Sequence, residues 1–200
     1  IYAGVDTGRY NFHGIRRQWC NGDKINLLTI GGLRWQKGYE YILPAIKQVV
    51  DHGLDVSYKI IGDGEDLFKL NMIVDRLGID KNVHFLGLKS QEEVINLLSK
   101  ADIYVQPSVT DAMPGSIREA CAMQLPVVAR DVDGIPEIIE DGINGLLVPP
   151  CNVEALVTAI KWLIENPSMA VEMGGAGRKI VKNKFSIEQE IEKWRSIYLS

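Results

Sequence analysis

Histidine, cysteine and long apolar runs are scarce in this sequence. Its three histidines, His13, His52 and His84, stand far apart, and none has a partner at metal-ligand spacing. The three cysteines, Cys20, Cys121 and Cys151, are an odd number without zinc-like spacing. They argue against a disulfide framework and for a reducing compartment. No apolar stretch approaches the ~20 residues of a membrane span, and no secretory leader is recognisable. Positive charge is not in excess: 22 Lys and Arg against 26 Asp and Glu leave a net charge of −4. Nucleic acid therefore finds no overall electrostatic footprint, although a local basic pocket for phosphate is not excluded. No Walker-type Gly-Lys-Ser/Thr follows any glycine turn, and no Ser-His-Asp or Cys-His arrangement can be argued.

What the sequence does have is 200 residues, 46% of them hydrophobic, enough for one full core. It opens Ile1-Tyr2-Ala3 without an initiator Met and reads as a piece of a longer protein. Residues 1–24 lack a period, broken by Gly4, Gly8, Gly14 and Gly22. They read as a linker ending at the turn Asn21-Gly22-Asp23, with Arg16-Arg17 and Trp19 on a solvated edge. From Ile25 short apolar runs alternate with helical spacing. Strands are expected at 26–30, 56–61, 83–86, 103–105, 127–129 and 145–148. Helices are expected at 39–50 (with Pro44 kinking it or near its start), 67–77, 90–98, from Pro114, at 134–139, and at 153–164, 168–181 and 187–198. Ser90-x-x-Glu93 and Ser186-x-x-Gln189 spell capping boxes. Strands apolar on both faces suit a Rossmann-like, doubly wound parallel sheet with helices on both faces, an α/β fold. The expected organisation is a linker (1–24), a ligand-binding domain (25–182) and a terminal helix (183–200). The last helix carries Ile187, Ile191, Trp194, Ile197 and Tyr198 on one face, and docking on its own domain is the simplest expectation.

In such a sheet ligands gather at the carboxyl ends of the strands, here Gly31, Gly62, Gly87, Gln106 and Arg130. The stretch Pro107–Ala129 enters that edge with two carboxylates, Asp111 and Glu119, around a helix start. Pro114 suits the first helical position, where its missing N–H costs nothing. The free N–H groups of Gly115, Ser116 and Ile117 then form an anion site, reinforced by the helix dipole. The two carboxylates suit hydroxyl groups of the same ligand rather than its phosphate. An acidic first turn that only steadies the helix is the competing reading. The loop Gly31–Gly38 brings Lys37 and Arg34 to the same edge, as point charge and fork for a diphosphate. Gly62-Asp63-Gly64 reads as a turn.

These motifs, in this order, resemble the C-terminal half of the family 4 (group 1) glycosyltransferases, whose fold is GT-B. Gly4-Val5-Asp6-Thr7 resembles the crossing between that family's two domains, and Gly31–Gly38 its diphosphate loop. Ile61–Gly64, Phe85–Gly87 and Ala101–Ser108 follow. Asp111 to Glu119 resembles the two-carboxylate signature Glu-x7-Glu, and Leu125–Ala129 and Asp141–Val148 complete the set. The resemblance implies a retaining hexosyltransferase's donor-binding half, taking a UDP-, GDP- or ADP-sugar, with Asp111, Glu119 and Lys37 as the catalytic set. Gly31, Gly32, Arg34, Leu88, Met113, Gly115 and Ser116 would join Lys37 and Glu119 in holding the donor. It implies no metal or other cofactor, and no nucleic acid. A cytoplasmic place, with peripheral membrane association of the full protein, is expected, as is a role in cell-surface polysaccharide or glycolipid synthesis. The acceptor side would lie in an N-terminal domain outside this sequence, so this piece alone is expected to be inactive. The last helix would return toward that missing domain. Two departures stand out: Asp111 replaces Glu, and Gly32 stands where the family's loop usually has Arg. They keep alive a non-catalytic nucleotide-sugar-binding module. A GT-B nucleotide-sugar epimerase or a phosphorylase is the enzymatic alternative, and a flavodoxin-like signalling domain a third.

Overall fold

The structure, a computed structural model, describes residues 3–14, 16–20 and 22–198. Six strands form one all-parallel sheet: β1 Ile25–Ile30, β2 Val56–Ile61, β3 Val83–Phe85, β4 Ile103–Gln106, β5 Val127–Arg130 and β6 Gly145–Val148. Their order is β3-β2-β1-β4-β5-β6. Six residues of β1 pair in register with β2, from Ile25 on Val56 to Ile30 on Ile61, and Leu27–Leu28 of β1 pair with Ile103–Tyr104 of β4. The chain reverses its direction of growth between β1 and β4, which makes the crevice outside those two strand ends the expected ligand position.

Alternation along the strands sorts the core. Ile25, Leu27, Ile103, Val105 and Val128 point to one face, and Leu28, Tyr104, Val127 and Ala129 to the other. The first face is covered by α1 Tyr39–Asp51, α2 Leu67–Leu77 and α6 Val153–Glu165. The second is covered by α3 Gln91–Lys100, α4 Gly115–Ala122, the short α5 Ile135–Ile138 and α7 Pro167–Lys184. Both faces being buried explains why the strands read as nearly continuous apolar runs. Ser90 caps α3, its Oγ accepting from Glu93 N at 3.3 Å while Glu93 Oε2 accepts from Ser90 N at 2.8 Å, the reciprocal box expected from the sequence. Pro44 lies inside α1, in its second turn, where it removes one backbone donor without ending the helix. Ser186 Oγ accepts from Gln189 N at a long 3.4 Å as α8, Ile187–Tyr198, begins.

Two expectations fail. The first is the solvated edge in residues 1–24. Arg16 is buried and donates to the carbonyls of Leu98, Ser99, Ala101 and Met123, while Trp19, also buried, donates from Nε1 to Ile164 O at 2.7 Å. Helices expose unpaired carbonyls at their C-terminal ends, and these two side chains satisfy those of α3, α4 and α6. The segment is irregular but packed, with Val5 and Tyr10 also in the core; Asn21 of the expected turn lies outside the described residues. The second is α8: none of its residues is buried, and Ile187, Ile191, Trp194, Ile197 and Tyr198 are all substantially exposed. Its apolar face does not dock on this domain. Among the described residues no helix is long and apolar enough to cross a membrane. Cys20, Cys121 and Cys151 are free thiols.

Candidate functional site

The loops leaving β1 and β4 are stitched together at the switch between those strands. A single 3-10 turn, Trp35–Lys37, ends at Gly38 in the left-handed region (φ 69°). A Cβ on Gly38 would lie 1.9 Å from Pro107 O, so the backbone approaches closer than any other residue permits. Val109 N donates to Gln36 O at 2.7 Å across the same seam. Leu33, fully buried, anchors the loop from below, and Tyr39 OH donates to Gly31 O at 2.9 Å.

This seam brings Lys37 to Asp111. Lys37 Nζ lies 2.5 Å from Asp111 Oδ2, with the two side chains 26% and 12% exposed. Asp111 Oδ2 also accepts from Gln106 Nε2 and Ser108 Oγ, both at 3.1 Å. Gln106, fully buried at the end of β4, is itself fixed: Tyr104 OH donates to its Oε1 at 2.9 Å. The carboxylate therefore sits in a ring of three donors that do not depend on solvent. Behind it, Asp133 adopts φ 46°, and its Oδ2 accepts from Asp111 N at 2.8 Å and Thr110 Oγ1 at 2.7 Å. Those bonds hold the Asp133 carboxyl below its ordinary range. Asp131-Val132-Asp133 spells an Asp-x-Asp triplet, but one of its carboxylates is turned inward onto the Asp111 loop.

The helix that follows is α4. Pro114 is its N-cap with extended backbone (ψ 120°), one position earlier than expected, and no side chain caps the helix. The N–H groups of Gly115 and Ser116 thus open the helix without a side-chain partner. Glu119, one turn on, is half-buried, and its Oε1 accepts from Tyr10 OH at 3.0 Å. Burial raises the Glu119 pKa, while the Tyr10 bond pulls it back. Burial above all pushes the Tyr10 hydroxyl up to about 12. Gln91 Nε2 donates to Tyr10 OH at 3.3 Å, and Arg178 Nη1 holds Tyr10 O at 3.0 Å. Glu119, Tyr10, Gln91, Gly115 and Arg118 line one cleft with Gly4, Val5, Asp6 and Ile187.

The expected residues thus divide into groups. Gly31, Gly32, Lys37 and Asp111 meet at the switch, and Met113, Gly115, Ser116 and Glu119 follow on the β4–α4 connection at the same sheet edge. Arg34 is exposed on the β1 loop, and Leu88, after β3, is 78% exposed. A Cβ on Gly32 would meet only Asp63 O at 3.6 Å, so no steric demand keeps a larger side chain out. Gln106 and Ser108 were placed at this edge by the strand end and the Ala101–Ser108 motif but given no role, and Tyr10, Asp133 and Arg118 were missed. Of those three, only Asp133 had a local signal, the Asp-Gly pair that tolerates left-handed backbone.

Comparison with known proteins gives the family. Residues 15–180 match the family described as Glycosyl transferases group 1. The amylovoran biosynthesis glycosyltransferase AmsK of Erwinia amylovora is 30% identical over 168 residues, covering 81% of this chain and 41% of AmsK. A solved C-terminal domain of a group 1 family glycosyl transferase (LpcC) from Francisella tularensis superposes with a TM-score of 0.80 at 26% identity, covering 92% of this chain and all 100% of that one. Anabaena Alr3699/HepE, solved in complex with UDP-glucose, superposes with a TM-score of 0.84 at 25% identity, over 96% of this chain and 56% of HepE. The chain spans about half the length of the curated relatives it matches. The chain belongs to the group 1 glycosyltransferases and corresponds to the C-terminal domain of their GT-B fold.

Proposed function

We propose that the chain is the donor-binding half of a retaining glycosyltransferase, which moves a hexosyl group from a nucleotide-sugar to an acceptor held by an N-terminal domain outside this sequence. The observation that carries this is the Lys37–Asp111 pair at the β1/β4 switch, 2.5 Å apart and supported by Gln106 and Ser108. Lys37 neutralises the donor diphosphate, whose charge grows as the glycosidic bond breaks, so its help acts in the transition state. Asp111 contacts the donor sugar beside the backbone near Met113. When Lys37 turns toward phosphate, Asp111 keeps two neutral donors and is not stranded. The α4 start assists the diphosphate, Glu119 takes the ribose hydroxyls, and the segment around Leu88 lines the base. This division of charge needs no metal. The UDP-glucose complex of HepE supports a UDP-sugar as the first donor to test, and the name of AmsK supports a cell-surface polysaccharide role. The apolar face of α8 fits a helix that returns onto the absent domain, and a cytoplasmic, membrane-peripheral enzyme fits a lipid-linked acceptor.

Calorimetry with UDP-, GDP- and ADP-sugars tests the reading. One donor class should bind, and Lys37→Ala should weaken the matching nucleoside diphosphate about tenfold or more while leaving the nucleoside nearly unchanged. Equal weakening of both would remove Lys37 from the diphosphate site. The purified chain should transfer no sugar by itself; measurable turnover would overturn the two-domain requirement.

A further inference from the structure

The cleft under the crossing segment holds a buried cation, two of whose nitrogens lack a hydrogen-bond partner among the described residues. Arg118 is only 6% exposed, and its Nε and Nη1 are buried without a hydrogen-bond partner among the described residues. Glu119 and Glu190 favour its charge across space but accept no hydrogen bond from it. Asp6 Oδ1 accepts from Gly8 N and Arg9 N at 3.0 and 2.9 Å. Glu119 Oε1 accepts from Tyr10 OH at 3.0 Å, and Glu190 Oε2 from Gly4 N at 2.7 Å. An unpaired buried guanidinium is costly and calls for a partner.

Helix geometry says where it reaches. Side chains lean toward the helix N-terminus, and residue i+3 lies over residue i. Arg118 therefore leans back over Gly115, and its Nη2 lies 3.6 Å from where a Cβ on Gly115 would stand. The same first turn presents N–H groups with no side-chain cap. An uncapped helix start and an unsatisfied guanidinium in one cleft make an anion site. One residue further, Glu119 offers a carboxylate to hydroxyl groups.

We infer that Arg118, with the N–H groups of Gly115 and Ser116, binds one phosphate of a nucleoside diphosphate. It adds a cation from α4 to the Lys37 of the β1 loop. This rests on the proposed reading of the edge as a donor site. The ribose then lies against Glu119, and the other phosphate is left to Lys37 on the opposite loop.

The test is Arg118→Leu in this chain, read by calorimetry and urea unfolding. The probes are UDP, GDP and ADP with their nucleosides. Replacing an unpaired buried charge by an aliphatic side chain should leave the urea midpoint equal or higher. Affinity for the preferred diphosphate should fall about tenfold, with the nucleoside unchanged. If the parent chain binds no diphosphate better than its nucleoside, the donor-site reading itself fails. If the parent shows that preference and Arg118→Leu retains it in full, the inference fails while the reading stands. A lowered urea midpoint would also overturn it, by making Arg118 a structural residue.

Discussion

Arg16→Met should be the most damaging single substitution far from the Lys37 loop. Arg16 donates through Nε to Met123 O at 3.1 Å and through Nη1 to Ser99 O and Ala101 O at 3.0 Å each. Its Nη2 reaches Leu98 O at 3.1 Å and Met123 O at 2.5 Å. Three of these carbonyls close α3, and Met123 is the C-cap of α4, so one guanidinium ties two helix ends at their negative poles. The group also lies 3.9 Å over the Phe12 ring. Burial lowers its pKa to about 10, so it stays charged at neutral pH. A hydrogen bond from a charged donor contributes about 1.5–3 kcal/mol, and recovered hydration of the guanidinium offsets much of the gross sum. Methionine fills the volume but leaves buried carbonyls unpaired, so the net loss should be roughly 3–4 kcal/mol. With a urea slope of about 2–3 kcal/mol/M for a chain of this size, the midpoint should fall by about 1–2 M. Arg16→Lys should recover less than half, because an ammonium cannot span carbonyls on two helices. A Met variant within about 0.5 kcal/mol of the parent, well below a single such hydrogen bond, would refute the tie.

Gly38→Ala combines left-handed backbone with a Cβ 1.9 Å from Pro107 O, so the two loops of the site must separate. A loss of about 3 kcal/mol or more is expected in thermal unfolding. Gly78→Ala, at φ 66° with nothing within 4 Å, should cost only about 1 kcal/mol. Equal effects would remove the steric argument. For pH, burial raises the Glu119 pKa above the ordinary 4.5. A carboxyl raised on folding contributes stability that is present below its unfolded pKa and is lost as pH rises through the folded one. Glu119→Gln should therefore gain on the parent as pH rises from about 4.5 toward neutrality, measured as melting temperature, and parallel curves would contradict the burial argument.

The fold was legible because its two determinants are local. Alternating strand and helix periods set the element types, and apolar strands on both faces left only a covered parallel sheet. Element ends shifted by one to three residues, as at β5, which continues to Arg130, and α7, which continues to Lys184. The meeting of the Lys37 and Asp111 loops was legible from the strand ends. Gly31 and Gly32 mark the carboxyl end of β1 a few residues before Lys37, and Asp111 stands five residues past Gln106, the end of β4.

What sequence could not supply is which side chains meet across long separations. Tyr10 and Glu119 are 109 positions apart, and Arg16 and Met123 are 107 apart. Neither pair leaves a spacing to read. The sequence around Arg16 is irregular because it forms no ladder of its own; its side chains satisfy the ends of other elements instead. An aperiodic segment therefore looks the same whether it is solvated or serves as a cap for helices elsewhere, and only burial separates the two. α8 shows the converse. Its apolar stripe is plain in the sequence, yet the stripe states only that a partner surface is needed. Its exposure turns an expected internal contact into an open face, which is where the relatives' greater length becomes relevant.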